Sequence, residues 1–349
     1  MKNKFNISKL VRPNVLALKP YSSARDEFKD AARTMTFLDA NENPFETNIN
    51  RYPDPQQHDL KTILAKQKGA AISQILLGNG SDEVLDLIVR AFCEPRQDNV
   101  ITLPPTYGMY KVLAEINAIE NREVLLTKNF EPNVSKILKT QDANSKVLFL
   151  CTPNNPTGNV FSKDLIEQLL ESFNGLLVID EAYIDFSETE SWLSRLEEFP
   201  NLIITQTLSK AYGMAGIRLG ICYASTEIIS ILNKIKPPYN INSLTQVTAT
   251  QKIRDIKKLN IDKSLILRDK ERLKEVLLQL KFIDTVYPSQ ANFLLVKVDN
   301  ATKRYEQLLD NGIVVRDRSS QPLCENTLRL TVGTPEENNT LIKILKGIL

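Results

Sequence analysis

Residues 207–220 read TLSKAYGMAGIRLG. A short apolar run, NLIIT at 201–205, precedes them, and LGICYA at 219–224 follows. Both runs are apolar along their length, as strands covered on both faces are. Between them stand Ser209, Lys210, a turn spaced by Gly213 and Gly216, and Arg218. A lysine between two buried strands is unusual, because an unpaired ammonium is costly to bury. Two readings are open at this point. Lys210 is a solvated residue at a strand end, or it is a lysine that sheds its charge and condenses with a carbonyl cofactor.

Outward from this stretch, apolar runs alternate with amphipathic ones. The spacing predicts strands over 75–77, 99–103, 124–127, 146–151, 176–179, 201–205 and 219–224, and helices from Ser81 and over 107–119, 162–173 and 226–236. The interval between Asp180 and Lys210 leaves room for a helix and a return strand. This is the pattern of an α/β fold with a largely parallel sheet covered on both faces. After Pro237-Pro238 the pattern changes to one long charged helix over 244–280, strands at 291–298, 313–316 and 327–332, a helix at 301–309 and another from Pro335. We expect a large domain over 30–238 and a smaller α+β domain from 239–349 with residues 1–29.

The composition bounds the chemistry. Forty-two per cent of the 349 residues are hydrophobic and 25% charged, with a net charge of +2, which provides no strong field for nucleic acid or an acidic membrane. Four scattered cysteines and a single histidine, His58 in a proline-rich polar stretch, argue against a metal cluster, a disulfide framework or a Ser-His-Asp hydrolase. Free thiols and the lack of a signal peptide or a membrane-length apolar run predict a cytoplasmic protein.

Three further clusters sit where predicted strands end. KVLFLC runs into TPNNPTG, placing Asn155 at a strand's carboxyl end; LLVI runs into DEAYIDF, placing Asp180 there with Tyr183 close behind; and GNGSDE opens a helix at Ser81 and Asp82. Taken singly, each has an ordinary explanation: a turn, a strand end reaching water, an N-cap. In an α/β sheet, however, ligands bind at the carboxyl ends of strands, and a helix N-terminus suits a phosphate. A buried carboxylate needs a donor or cation such as a protonated pyridine nitrogen. An asparagine amide can donate to a phenolate oxygen, and Arg218 with Ser209 can face a phosphate on the side of Lys210. Together these name one ligand, pyridoxal 5'-phosphate.

The motifs LDANENPF (38–45), RYPDP (51–55), GNGSDE (78–83), PPTYGMY (104–110), TPNNPTG (152–158), VIDEAYIDF (178–186), TLSKAYGMAGIRLG, QANFLLV (290–296), GIVVRDR (312–318) and LRLTVGT (328–334) resemble, in order, those of the fold-type-I pyridoxal-phosphate aminotransferases. The RYPDP, VVRDR and LRLTVGT set is most similar to the histidinol-phosphate group of that family. The resemblance implies a seven-stranded large-domain sheet sandwiched by helices. It implies that Lys210 carries the cofactor covalently, Asp180 pairs its ring nitrogen, Asn155 and Tyr183 contact its phenolic oxygen, and Tyr107 stacks on the ring. Ser81, Asp82, Ser209 and Arg218 then hold its phosphate, joined by Tyr52 from a neighbouring subunit, so a homodimer is implied. Tyr21, Asn41, Arg316 and Arg329 are implied as contacts to the substrates, histidinol phosphate and the glutamate/2-oxoglutarate pair. An aromatic-amino-acid aminotransferase, a phospho-amino-acid decarboxylase or a non-catalytic ligand sensor shares much of this pattern. The loop from Ser319 to Asn326 carries nothing over.

Overall fold

The computed structural model describes residues 5–21 and 35–348. Its centre is a seven-stranded sheet: β1 (Ile75–Asn79), β2 (Asn99–Thr102), β3 (Glu120–Glu123), β4 (Ser145–Cys151), β5 (Leu176–Asp180), β6 (Leu202–Thr207) and β7 (Leu219–Ala224), in the order β1-β7-β6-β5-β4-β2-β3. Neighbours from β3 to β6 run parallel, and β7 is antiparallel to both β6 and β1. The carboxyl ends of β1, β4, β5 and β6 therefore share one edge with the start of β7.

Burial explains why these strands read so plainly. Side chains alternate between faces along a strand. Leu148, Leu150, Leu177, Ile179, Ile204 and Ile221 enter the core on one face; Val147, Phe149, Val178, Ile203 and Cys222 enter the core on the other. Each fully buried aliphatic side chain contributes about 1.5–3 kcal/mol. The helix Gly80–Phe92 covers the second face with Val84, Leu85, Leu87 and Ile88.

A second, antiparallel sheet of four strands follows the change of pattern: β8 (Ile283–Val286), β9 (Phe293–Val298), β10 (Arg316–Asp317) and β11 (Thr327–Thr331), in the order β10-β11-β9-β8. It packs under the helices Ile256–Leu277, Ala301–Asp310 and Pro335–Gly347 around Leu273, Leu294, Val296, Leu308 and Leu341.

Several elements differ from expectation, for identifiable reasons. The strand expected at 124–127 lies at Glu120–Glu123, because an edge strand paired on one side tolerates polar residues; Val124 and Leu126 follow it, their N–H groups donating to the Thr102 (2.9 Å) and Pro104 (2.8 Å) carbonyls while their side chains enter the core. The long helix expected over 244–280 is two, Ser243–Lys252 and Ile256–Leu277, since the Asp255 side chain accepts from the Lys258 N–H (3.0 Å) and starts a new helix. Between β5 and β6 two 3-10 turns, Ile184–Phe186 and Trp192–Arg195, replace the expected helix. Buried Glu181 pins that connection, accepting from Ser191 Oγ (2.6 Å), Trp192 N (2.7 Å) and Gln206 Nε2 (2.8 Å). The strand expected at 313–316 is only β10. Helices His58–Lys68 and Val134–Thr140 and strand β8 were not expected; the first is mostly polar and exposes much of its surface. No described helix is long and apolar enough to cross a membrane.

Candidate active site

The strand ends converge on a cavity of about 460 Å³, lined by Ser81, Asp82, Tyr107, Asn155, Asp180, Tyr183, Ser209, Lys210, Arg218, Arg316 and Arg329, among others. Backbone register sets much of this arrangement. Cys151, Asp180 and Thr205 are level across β4, β5 and β6, and Thr207, Gly220 and Gly78 are level across β6, β7 and β1.

One end of the cavity is built for an anion. The helix Gly80–Phe92 opens there with Ser81 and Asp82, where free N–H groups and the positive helix end gather. Two glycines make this possible. A Cβ on Gly220 would lie 2.2 Å from Ser81 N, and one on Gly80, at φ +75°, would lie 2.5 Å from Arg218 Nη2. Gly80 N donates to the Arg218 carbonyl (3.0 Å), and Arg218 itself sits in the left-handed region at φ 53°. The Arg218 guanidinium is 3.9 Å from Asp82, an exposed pairing that leaves it free to bind an anion. Ser209 N donates to Thr207 Oγ1 (3.1 Å), holding Ser209 beside this end.

Asp180 forms the buried floor. One carboxylate oxygen accepts from Tyr110 Oη (2.7 Å) and the other from Ala182 N (3.1 Å). Burial raises its pKa; the Tyr110 phenol and the Ala182 N–H oppose that rise without cancelling it. A buried carboxylate with spare lone pairs suits a cationic N–H partner. Asn155 accepts from Arg329 Nη1 (2.5 Å) and donates to Tyr183 Oη (3.3 Å), so amide, phenol and guanidinium form one chain along the wall. Tyr107 donates to Asp82 Oδ1 (3.0 Å) and stands edge-on to Tyr110.

Lys210 follows β6 and extends into the cavity, its Nζ 5.6 Å from the centre of the Tyr183 ring. Its pKa is lowered from 10.5, first by desolvation and then by the Arg329 charge, with a smaller contribution from Arg218; Asp180 and Asp82 pull the other way. The neutral amine is thus reached at lower pH than for a solvated lysine. The exposed side chain of Lys210 faces this cavity, where four charged groups act on it: Arg329, Arg218, Asp180 and Asp82. The set fits a flat ring carrying a carbonyl near Lys210, a basic nitrogen toward Asp180 and a phosphate at the Ser81–Arg218 end.

Comparison with known proteins agrees with this geometry. The sequence profile described as aminotransferase class I and II matches residues 26–345. The chain belongs to the class I and II aminotransferase family. It is 63% identical over 345 residues to a histidinol-phosphate aminotransferase of Flavobacterium johnsoniae, covering 99% of both chains. It is 60% identical over 346 residues to one of Flavobacterium psychrophilum, covering 99% of this chain and all of that one. The crystal structure of the histidinol-phosphate aminotransferase from Clostridium acetobutylicum superposes with a TM-score of 0.79 at 24% identity, covering 86% of this chain and 91% of that one, a likeness of fold.

Within this aminotransferase chain, three residues singled out from the sequence stay away from the cavity. Tyr21 and Asn41 are exposed; Asn41 has φ 54°. Tyr52 is half exposed and stacks on Tyr239 with ring centres 4.5 Å apart. Glu42 ties their neighbourhood together, accepting from Tyr52 N (2.7 Å) and pairing with Arg51 (2.6 Å). Conversely, Tyr110, Arg318 and Gln321 line or support the cavity and were missed. Tyr110 lies one helical turn from Tyr107, and Arg318 lies two residues from Arg316 on an extended segment. Both spacings place the pair on one face, so the signal was present for these two. Gln321 lies in an irregular loop and carried none.

Proposed function

We propose that this chain is a histidinol-phosphate aminotransferase, moving an amino group reversibly between L-histidinol phosphate and 2-oxoglutarate with pyridoxal 5'-phosphate as cofactor. The observation that carries the reading is the meeting of Lys210, Asp180, Asn155 and Arg218 in one cavity, in a chain so close to relatives bearing that name.

Lys210 would hold the cofactor covalently, Asp180 its ring nitrogen, Asn155 and Tyr183 its phenolic oxygen, and Tyr107 one side of its ring. The N–H groups of Ser81 and Asp82, with Ser209 and Arg218, would hold its phosphate. When bound, this group supplies a carbonyl that exchanges amines and a protonated ring that withdraws electrons. The protein places and tunes it. The Asp180 carboxylate keeps a proton on the nitrogen it faces. The Lys210 amine, neutral at lower pH than usual, takes the proton from the substrate carbon that bears nitrogen and later returns one, as general base and acid. Arg316 and Arg329 face the substrate's oxyanion, carboxylate or phosphate, through guanidinium forks, so one cationic wall serves both half-reactions.

Purified protein with cofactor and 2-oxoglutarate should consume histidinol phosphate with a kcat/KM well above that for phenylalanine; the reverse ranking would favour an aromatic-amino-acid aminotransferase. Arg329→Ala is expected to raise KM for histidinol phosphate and for 2-oxoglutarate by about 10- to 100-fold, the scale of one charge-assisted hydrogen bond. Steady-state kinetics check it, and unchanged KM values for both substrates would remove Arg329 from the site.

The same reading makes the chain a cytoplasmic homodimer. Tyr52 reaches the phosphate of the neighbouring subunit's cofactor, and Tyr21 and Asn41 are substrate contacts that the single chain leaves outside its own cavity. A unit over 30–238 would hold the cofactor, and 239–349 would form the smaller unit bearing Arg316 and Arg329; residues 1–29 were expected with the smaller unit, but among those described Val11 and Val15 pack into the core of the larger one and Arg12 pairs with Glu94. The buried free thiols of Cys93, Cys151, Cys222 and Cys324 suit a reducing compartment. Equal amounts of Tyr52→Phe and Lys210→Ala chains, unfolded and refolded together, should recover cofactor affinity in a fraction of sites that neither parent shows. Sedimentation at the mass of one chain would exclude the shared site.

A further inference from the structure

We propose that Arg318 is a phosphate-selective arm of the substrate site, completing with Arg316 and Arg329 a three-guanidinium wall that favours the dianionic phosphate ester over the carboxylate substrate. The inference rests on the function proposed above and names what sets its preference between the two substrates.

The wall is built by the second sheet. Arg316 of β10 pairs in antiparallel register with Arg329 of β11. Arg318 N then donates to the Thr327 carbonyl (2.9 Å), extending the ladder by one rung beyond Asp317 and Leu328. Arg316 and Arg318 therefore lie on one side of an extended segment, and all three arginines line the cavity. The loop beyond is held in place: Ser319 N donates to Asp317 Oδ1 (2.8 Å), Gln321 N to the Arg318 carbonyl (2.9 Å) and Cys324 N to the Gln321 carbonyl (3.1 Å). Arg318 thus starts from a fixed backbone.

Three cations sharing one wall repel one another. Burial lowers the pKa of Arg318, and the Arg329 and Arg316 charges lower it further. Yet among the described residues none of the three forms an ion pair with a carboxylate. Arg329 gives one N–H to Asn155, while the buried Nε of Arg329 and that of Arg318 have no hydrogen-bond partner among the described residues. Such a wall is complementary to an anion.

Its chemistry follows from counting forks. A carboxylate has two oxygens and one charge, and one guanidinium fork satisfies it. A phosphate monoester carries close to two charges at pH 7 and three terminal oxygens. Arg316, exposed at the mouth, and Arg329, deep beside Asn155, suffice for the carboxylate. Arg318, half-buried and acting electrostatically on Tyr183, adds the third fork that only the phosphate uses fully.

Full-length Arg318→Gln and Arg318→Lys, loaded with cofactor, provide the test. Cofactor absorbance and melting midpoint should match the parent, showing an intact site. For Arg318→Gln, KM for histidinol phosphate should rise about 10- to 100-fold with kcat within about threefold, while KM for 2-oxoglutarate and glutamate stays within about twofold. The preference for histidinol phosphate over unphosphorylated histidinol should fall by the same factor. Arg318→Lys, keeping charge without the fork, should fall between. Equal losses for both substrates, or no change in either, would overturn the inference while leaving the proposed function standing. A parent enzyme that ignores histidinol phosphate would overturn the proposed function itself.

Discussion

Lys210→Ala is expected to lower the rate of amine transfer by at least about 1,000-fold, within the range that a positioned general acid–base contributes, with its nucleophile role lost besides. The folded protein should survive the change. Lys210 projects into the cavity rather than into the apolar core, so its removal opens no packing defect. Its charge is a cost to folding. With the folded pKa below 10.5, the penalty on the ammonium is complete below the folded pKa and is relieved as pH rises toward the unfolded value. At neutral pH the cofactor-free variant should therefore melt no lower than the parent. Borohydride reduction in the presence of pyridoxal 5'-phosphate should fix the cofactor's mass on the peptide containing Lys210 in the parent and on no cavity peptide in the variant. Retention of a tenth of the activity, or fixation of the parent's cofactor on a peptide lacking Lys210, would refute the assignment.

What made Lys210 legible from the sequence also made the fold legible. The strands β4 to β7 are covered on both faces, so their apolar runs stand out, and the residues that follow them sit together at one edge. Asn155, Asp180, Tyr183, Ser209 and Lys210 end or follow β4, β5 or β6, while Ser81 and Asp82 follow the equally buried β1 and Arg218 directly precedes β7. Signals fail where burial is one-sided or polar. Glu120–Glu123 is a strand because β2 lies beside it, and nothing in ENRE announces that. The break at Asp255 depends on one side-chain cap inside an otherwise helical pattern. Tyr110 shows a third kind of gap: it sits in a motif quoted for Tyr107, but its role depends on reaching Asp180, 70 residues away in sequence. Tyr21, Asn41 and Tyr52 show a fourth: all three lie outside the chain's own cavity, and a role for Tyr52 at the site rests on the homodimer proposed above.

Asp180→Asn separates catalysis from stability most cleanly. The asparagine keeps the shape of the side chain and can retain a hydrogen bond with Tyr110 and one with Ala182, so the floor of the cavity should hold its form. It removes the charge. An amide cannot keep a proton on the ring nitrogen it faces, and loss of a preorganised electrostatic partner typically costs about 100- to 1,000-fold in kcat. The cofactor-free protein responds in the opposite direction. Asp180 has a raised pKa in the fold, so its stabilising protonated form is complete below the unfolded carboxylate pKa and is lost as pH rises through the folded value. As pH rises past the unfolded carboxylate range the parent therefore bears the cost of a buried carboxyl that resists ionisation, which asparagine lacks, and the variant's melting midpoint should equal or exceed the parent's at pH 7 and converge with it toward acid. The substitution also removes an anion that raises the Lys210 pKa, so that lysine should lose its proton at still lower pH. Competitive acylation of Lys210 against pH in the cofactor-free proteins measures that shift directly. An upward shift, or a variant that is markedly less stable yet fully active, would mean that Asp180 serves packing rather than the cofactor.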